Sequence, residues 1–371
     1  MRIGIDIKAF KNGTTGIARY LRSIMDELQK LDRDNEYFLF EPRPLDYEPT
    51  NPKWRKVLVA SRLPGTLWLQ FVLPIHLRKH RIDVFWAAEQ VCPLLMKGAG
   101  RIVTSIYDLA YLHFPESYVW SNLLIQKKTA PRVMRKSDVI VTISDFVRRE
   151  ILRNYGQYCS ASKVVAIPCG APDWKLPADY DRAQRKDFLF FAGNLEPRKN
   201  LINLIKALEI LHERGLDIPL HLAGPPGWKN KALFGEIERS PVRGNIRLLG
   251  FLSEEQLKAE YLTCRALVYP SLYEGFGLPV LEALTLDCPV LTSKGTVMEE
   301  IAGKCALYFD PLKPEQIAEK IDILHADDSI ASRYEKEEEN SVSDFAWNLT
   351  ARRLAGVLLG QDFSADEMCL L

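Results

Sequence analysis

Apolar and polar positions follow two different periods along the first half of the chain. Apolar runs of strand length are separated by segments such as 16–31, whose apolar side chains keep helical spacing. The runs lie at Arg2–Ile7, Ile82–Ala88, Arg101–Leu109 and Asp138–Ser144. This repeated alternation of strand and helix predicts a parallel sheet that is covered by helices.

The same alternation restarts after residue 186. From Cys169 to Lys186 a polar stretch rich in Pro, Asp and Gly interrupts the pattern, and residues 171–186 have the composition of a linker between domains. Five further apolar runs follow, at Phe188–Ala192, Ile218–Gly224, Asn245–Gly250, Ala266–Ser271 and Cys288–Ser293. The sequence therefore predicts an α/β protein with two Rossmann-like, doubly wound domains, residues 1–170 and 187–343, which bind ligands at the carboxyl ends of their strands.

Composition places the chain among ordinary globular proteins. Hydrophobic residues make up 47% and charged residues 26% of its 371 residues, so disorder is not expected. The longest apolar stretch, Leu63–Leu77, is too short for a bilayer and contains Pro64 and Pro74. Seven scattered cysteines without a C-x-x-C pair, and an N-terminus without a signal-peptide pattern, predict a cytoplasmic protein with neither disulfides nor a zinc site.

Charge is divided unevenly between the two halves. Residues 1–170 contain 26 Lys and Arg against 16 Asp and Glu, whereas the remainder contains 23 against 32. Segments 51–81 and 125–138 are basic, and the first mixes its cations with Trp, Phe and Leu, a composition that suits docking on anionic lipid headgroups. A solvated basic surface over a core with Trp68 and Phe71 explains the same pattern equally well. Nucleic acid is not an expected partner, because no nucleic-acid-binding motif accompanies these charges.

The stretch Ser271–Leu284, SLYEGFGLPVLEAL, combines a strand end, a glycine-rich turn and a helix start. Proline is tolerated in the first helical turn, so Pro279 predicts a helix from about Leu278. The first backbone N–H groups and the positive dipole end of such a helix form a binding site for a diphosphate. Gly275 and Gly277 lack Cβ atoms, which lets backbone amides approach a ligand closely.

Two carboxylates belong to this stretch. Glu274 lies on the turn beside the expected ligand, and Glu282 lies one turn into the helix, where it is placed to accept two ribose hydroxyl protons. Solubility and the helix dipole alone also favour acids at these places, so the spacing by itself has little specificity. The full pattern P-S-x-x-E-G-F-G-L-P-x-x-E-A is much more specific, because its strand end, glycines, proline and acids must all occur together.

That pattern resembles the E-x7-E motif of the family 4 retaining glycosyltransferases. The resemblance covers nearly the whole chain and implies the GT-B fold, in which two Rossmann-like domains face a central cleft. It also implies that a C-terminal helix within 344–371 returns to the N-terminal domain, and that Glu274 is catalytic. The residues that it implies for donor binding are Gly275, Phe276, Gly277, Leu278 and Glu282.

A second matching element is FAGNLEPRKNLINLIKA, in which a predicted strand delivers Arg198 and Lys199 to the cleft just before a helix. The family uses this Arg and Lys catalytically, to neutralise the diphosphate and the charge that grows on it, in place of a metal ion. Without that context the pair would be assigned to a solvated basic turn. The nearest acidic pair, Asp32 and Asp34, lies past a predicted helix end, so no metal ion and no other cofactor is expected.

Two glycines complete the expected donor site. In the loop NGTTGIARY, Gly16 matches the family position whose backbone amide faces the diphosphate and sugar at the start of the first helix. Gly224 ends the strand of HLAGPPGWKN beside the expected nucleotide pocket, where it lets the base or ribose approach. A dinucleotide-binding fold is the alternative, but the G-x-G-x-x-G spacing followed by an acid is missing.

The segment VTSIYDLAYLHFPESY, Val103–Tyr118, departs from the family pattern. Family members commonly carry His-Asp against the donor sugar, where this chain has Tyr107 and Asp108. Tyrosine still donates and accepts a hydrogen bond, but it titrates near pH ~10. The sequence leaves two roles open for Tyr107, namely contact with the donor sugar and packing that closes the strand end.

These features predict a retaining, metal-independent transferase that moves a hexosyl group, with mannose from GDP-mannose as the first choice. The expected partners are the nucleotide sugar, a glycan or lipid-linked glycan acceptor, and an anionic membrane at its cytoplasmic face. Two alternatives remain from the sequence, a nucleotide-sugar epimerase of the same fold and a non-catalytic partner subunit.

Overall fold

A computed structural model describes residues 1–12, 16–96, 100–227, 229–326 and 342–361. Within them, most strands are followed by a helix. The strands are β1 (Arg2–Asp6), β2 (Glu36–Glu41), β3 (Trp54–Leu58), β4 (Val84–Ala87), β5 (Arg101–Ile106), β6 (Val139–Thr142), β7 (Val164–Ala166), β8 (Leu189–Ala192), β9 (Leu220–Ala223), β10 (Ile246–Gly250), β11 (Ala266–Tyr269), β12 (Val290–Ser293) and β13 (Leu307–Phe309).

The α-helices are α1 (Gly16–Leu31), α2 (Gly65–Leu67), α3 (Leu73–Lys79), α4 (Ala110–His113), α5 (Trp120–Lys136), α6 (Asp145–Tyr155), α7 (Leu201–Glu213), α8 (Lys231–Arg239), α9 (Glu254–Thr263), α10 (Leu278–Thr285), α11 (Met298–Ala302), α12 (Pro314–Ala326) and α13 (Trp347–Leu359).

The strands of the described chain form two sheets, and all of their pairings are parallel. The first sheet has the order β3-β2-β1-β4-β5-β6-β7, and the second has the order β10-β9-β8-β11-β12-β13. In each sheet the strand order reverses beside the first strand, between β1 and β4 and between β8 and β11. Ligands of doubly wound folds bind at the carboxyl ends of strands at such a reversal.

The chain divides into two compact units, one around each sheet. The first comprises Met1–Tyr111, Tyr118–Gly170 and, from Phe345, the helix α13, while the second comprises Leu112–Ser117 and Ala171–Asp344. Within the first unit α13 packs on α1, where the rings of Tyr20 and Trp347 lie 5.9 Å apart. The hydroxyl of Thr350 in α13 also donates to the carbonyl oxygen of Pro168 at 2.8 Å.

The central strands form the core of each unit. Strands β4, β6, β8, β11 and β12 are buried at every position, because helices cover both faces of the parallel sheets. These are the runs that the apolar pattern predicts, and the predicted class of fold, two doubly wound parallel sheets, is confirmed.

Four strands were not predicted. β3 is an edge strand with an exposed Arg55 and a half-buried Lys56, so it is neither a buried run nor a regular alternation. β7 and β13 have three residues each, which is too short to stand out from a loop. β2 is buried along five of its six residues and follows the same rule as the predicted strands, so it was open to prediction.

Candidate active site

The second unit places two loops side by side where its strand order reverses. β8 ends at Ala192 and β11 ends at Tyr269, and the two strands are paired neighbours. The loop after β8 contains Arg198 and Lys199, and the loop after β11 contains Glu274. Arg198, Lys199 and Glu274, which belong to two separate sequence motifs, therefore lie together at the switch point, the place where the strand order of the sheet reverses.

The carboxylate of Glu274 is the centre of a buried ion-pair network. Arg198 donates to its Oε2 at 2.6 Å, and Lys199 donates to its Oε1. The hydroxyls of Ser271 and Tyr269 donate to the same Oε1 at 2.6 and 3.2 Å. Glu274 is only 8% exposed and Lys199 only 5%. Glu274 therefore fixes the positions of both cations.

The three side chains shift each other's protonation. Burial raises the pKa of the Glu274 carboxyl, but the cations Lys199 and Arg198 outweigh it, and the pKa falls to about 2. Burial lowers the pKa of Lys199 from its usual value, although Glu274 acts in the opposite direction. Arg198 also pairs with Glu196 at 2.7 Å, so the formal charges of two cations and two acids cancel. A diphosphate at this place would meet directed N–H donors rather than an excess of positive charge.

Sequence reasoning did not single out Asn200, Tyr269 or Ser271. Asn200 adopts the left-handed conformation, with a φ of +60°, which asparagine tolerates better than most residues. Its side-chain amide donates to the carbonyl oxygens of Pro270 at 3.1 Å and Pro311 at 2.6 Å, and thereby ties the loop after β8 to the loop after β11. Ser271 lies inside the quoted motif, three residues before Glu274, whereas the contacts of Asn200 and the contact of Tyr269 with Lys199 join residues distant in sequence.

The helix α10 begins at Leu278, as predicted, and Pro279 lies in its first turn. Gly277 precedes it with a φ of +127°, and a Cβ atom there would lie 2.7 Å from Sδ of Met298. Glycine is therefore required by the turn itself, independently of any ligand. Gly275 and the ring of Phe276 are buried in the same turn, while Leu278 is half-buried.

Two other residues predicted to contact the donor have partners within the second unit. Glu282 is 3% exposed, and its Oε2 accepts a hydrogen bond from the Tyr261 hydroxyl at 2.9 Å. Gly224 has a φ of +135°, and a Cβ atom there would lie 2.0 Å from the carbonyl oxygen of Gly193. The neighbouring loop thus excludes a side chain at Gly224. Tyr261, which the sequence did not point to, positions the Glu282 carboxylate.

The remaining predicted residues lie in the first unit. Gly16 is exposed and is the first residue of α1, whereas Gly13 of the same loop lies outside the described residues. Asp108 follows β5 by two residues, and its Oδ1 accepts a hydrogen bond from the backbone N–H of Ala110 at 3.0 Å. Asp108 therefore holds the start of α4.

Tyr107 stands where the family that the sequence resembles commonly carries histidine. Its side chain is 4% exposed, and its hydroxyl donates to the carbonyl oxygen of Ala88 at 2.5 Å. Burial raises the pKa of Tyr107 far above its usual value. Of the two roles that the sequence left open, this geometry matches packing at the strand end.

Tyr107→Phe tests that role. We expect the free energy of unfolding to fall by about 1–3 kcal/mol, because the buried carbonyl of Ala88 loses its donor, while kcat/KM stays nearly unchanged. Urea unfolding and steady-state kinetics measure the two effects. A large loss of kcat/KM at unchanged stability would instead show that the hydroxyl contacts the donor sugar.

Known families and proteins match the chain along almost its whole length. The family model described as Glycosyltransferase Family 4 matches residues 14–175, and the one described as Glycosyl transferases group 1 matches residues 172–341. The O-antigen chain mannosyltransferase B of Escherichia coli is 33% identical over 350 residues, which cover 89% of this chain and 92% of that protein.

Solved structures show the same architecture. A sucrose-phosphate synthase from Thermosynechococcus elongatus superposes with a TM-score of 0.75 at 17% identity, covering 97% of this chain and 98% of the other. HepE of Anabaena, solved with UDP and glucose, gives a TM-score of 0.71 at 16% identity, with 97% and 99% covered. The predicted GT-B fold is thereby confirmed. Fold, family models and the E. coli relative agree that the chain belongs to the family 4 glycosyltransferases and is a glycosyltransferase of the GT-B type.

Proposed function

We propose that the chain is a retaining mannosyltransferase that uses GDP-mannose, needs no metal ion, and transfers mannose to a glycan or lipid-linked glycan. The network of Arg198, Lys199 and Glu274 at the switch point of the second unit carries the proposal. The choice of mannose rests on the E. coli relative, which is named an O-antigen chain mannosyltransferase.

Arg198 and Lys199 are assigned to the diphosphate of the donor. Within the described residues, Lys199 donates to Glu274 and, at 2.6 Å, to the Tyr269 hydroxyl, which uses two of its three ammonium protons. The third proton and the guanidinium of Arg198 supply N–H donors, together with the backbone N–H groups at the start of α10. Donors held rigidly at an oxygen that gains negative charge stabilise the transition state, which replaces the need for a metal ion.

The hydrogen bonds and the low pKa of Glu274 bear on the mechanism by which the anomeric configuration is retained. Both of its oxygens accept hydrogen bonds from cationic groups, and its pKa is about 2, so it is a weak nucleophile. We therefore assign retention to attack on the face from which the diphosphate leaves. The acceptor oxygen bonds to the anomeric carbon as the bond to the diphosphate oxygen breaks, and the hydroxyl proton passes to that departing oxygen.

Calorimetric titration in the presence of EDTA tests the donor and the metal requirement. GDP-mannose is expected to bind at least about tenfold more tightly than UDP-glucose, UDP-N-acetylglucosamine or dTDP-rhamnose, a difference of about 1.4 kcal/mol. Tighter binding of another nucleotide sugar would overturn the choice of donor. Binding and turnover that depend on added Mg²⁺ would overturn metal independence.

The configuration of the product tests retention separately. NMR of the transferred sugar is expected to show an α-linked mannose, the configuration that it has in GDP-mannose. A β-linked product would show inversion and would return Glu274, or another carboxylate, to consideration as a base that activates the acceptor.

A further inference from the structure

An apolar stripe runs along the outside of the first unit. Residues 65–79 form one helical run, made of α2, a π-helical stretch over Trp68–Val72, and α3. Its inner side is buried, at Trp68, Leu69, Leu73 and Leu77. Its outer side exposes Leu67, Phe71 and Ile75 by 42%, 57% and 62%, and Leu63 just before the run is 45% exposed. The stripe consists of these four exposed residues, Leu63, Leu67, Phe71 and Ile75.

An ordinary surface helix presents polar side chains outward, whereas this run exposes Leu67, Phe71 and Ile75. Side chains four residues apart lie on one side of a helix, so Leu67, Phe71 and Ile75 form a continuous row. Single exposed apolar residues are common, but contiguous apolar patches mark interaction surfaces. The interpretation that placed both Trp68 and Phe71 in the core is correct for Trp68 and wrong for Phe71.

Basic side chains share a groove with Phe71 of the stripe. The groove has a volume of about 570 Å³, and Phe71 and Leu95 line it together with Arg132, Arg135 and Lys136 of α5. The three cations follow one another along the same helix. The surface thus places a row of apolar side chains beside a row of positive charges.

The charge of this region has a single sign. Residues 59–82 contain four Lys and Arg, residues 118–137 contain five, and neither segment contains Asp or Glu. Such long cationic side chains cover apolar surface with their stems while their charged ends stay among polar groups. Trp120 at the start of α5 is 73% exposed, and indole rings favour the boundary between bilayer and water.

We propose that the stripe and the cations of α5 dock the enzyme on the surface of an anionic phospholipid bilayer. The acyl region receives Leu67, Phe71 and Ile75, and the headgroups pair with the adjacent cations. None of the helices in the described ranges has the length and apolar content to cross a bilayer. The proposal does not depend on which sugar the enzyme transfers.

Sedimentation of the full-length chain with vesicles tests the proposal. The protein is expected to pellet with phosphatidylcholine mixed with phosphatidylglycerol and to stay in the supernatant with phosphatidylcholine alone. The double variant F71S/I75S is expected to lose at least about tenfold in partition, because two large apolar side chains no longer enter the interface. R132Q is expected to lose about fivefold, the effect of one cation near an anionic surface.

Phe251→Ser provides the matched control. Phe251 is 67% exposed and lies in the second unit, so its replacement removes an exposed aromatic ring from a different surface. We expect F251S to partition like the wild type, and both serine variants to keep the wild-type melting temperature and donor affinity, because only exposed side chains change. Equal partition of F251S and F71S/I75S would overturn the proposal. Equal pelleting with both lipid mixtures would do the same, and so would binding to a soluble polyanion without binding to vesicles.

Discussion

Glu274→Gln is expected to lower the free energy of unfolding by about 3 kcal/mol and to reduce kcat by at least about a hundredfold. Glutamine keeps the size of the side chain but not its charge, which leaves the buried ammonium of Lys199 and the half-buried guanidinium of Arg198 beside a neutral amide. Removing one partner of a buried ion pair is costly, because the other charge stays out of water. Activity falls because both cations lose the group that holds them.

Urea unfolding and steady-state turnover of the purified variant measure these two losses. Glu238→Gln is the matched control, since Glu238 lies in the same unit with a side chain 62% exposed and pairs with Arg243 at the surface. Such exposed pairs contribute only about 0–1 kcal/mol. If E274Q unfolds like E238Q, the network does not stabilise the fold and this account of the site is wrong.

The low pKa of Glu274 also makes the free energy of unfolding depend on pH in the acidic range. Its pKa in the folded protein is about 2, below the ordinary value of 4.5, so its contribution is complete above pH 4.5 and is lost as the pH falls toward 2. That difference in pKa corresponds to about 3 kcal/mol. The gap in unfolding free energy between wild type and E274Q is therefore expected to close between pH 4.5 and 2. A gap that stays constant over this window would contradict the low pKa.

The turn before α10 could be predicted because neighbouring residues determine it. A glycine with a positive φ at Gly277, followed by a proline in the first helical turn, leaves few places where the helix can begin. The buried strands were equally accessible, because a parallel strand covered on both faces shows as a continuous apolar run. Both inferences use information that lies within a few residues of the feature.

The contacts within the site could not be predicted from neighbouring residues in the same way. The motifs single out Arg198, Lys199 and Glu274, but the carboxylate and the cations are about 75 residues apart in sequence, and the pairing of their atoms depends on the fold. The sequence suggested cations facing a ligand, and the structure shows that Glu274 already engages both. The hydroxyl of Tyr107 likewise has a partner, the Ala88 carbonyl, that only the packing of neighbouring strands reveals.

The stripe of the first unit shows a different limit of prediction from the sequence. Helical spacing identifies which side chains share a face, but segment 63–77 is apolar on both faces, so the pattern does not say which face is inside. Trp68 was a correct choice for the core, where its indole N–H donates to the carbonyl oxygen of Val59 at 2.9 Å. Phe71, three residues later, is 57% exposed.

Lys199→Met is expected to reduce kcat by about a hundred- to a thousandfold, while lowering stability far less than E274Q does. Methionine fills a similar volume without an ammonium group. Burial already disfavours the charge of Lys199, as its lowered pKa indicates, so its removal also removes a desolvation cost. The carboxylate of Glu274 keeps three other donors, Arg198, Tyr269 and Ser271.

Measuring donor affinity and kcat for K199M separates binding from catalysis. The negative charge on the diphosphate oxygen grows only as the glycosidic bond breaks, so we expect kcat to fall more steeply than the affinity for the intact donor. Lys199→Arg is not expected to restore turnover, because a planar guanidinium does not fit the place that the ammonium occupies between Tyr269 and Glu274. Losses of equal size in affinity and kcat/KM, with kcat unchanged, would assign Lys199 to ground-state binding. Unchanged affinity and turnover would remove it from the active site.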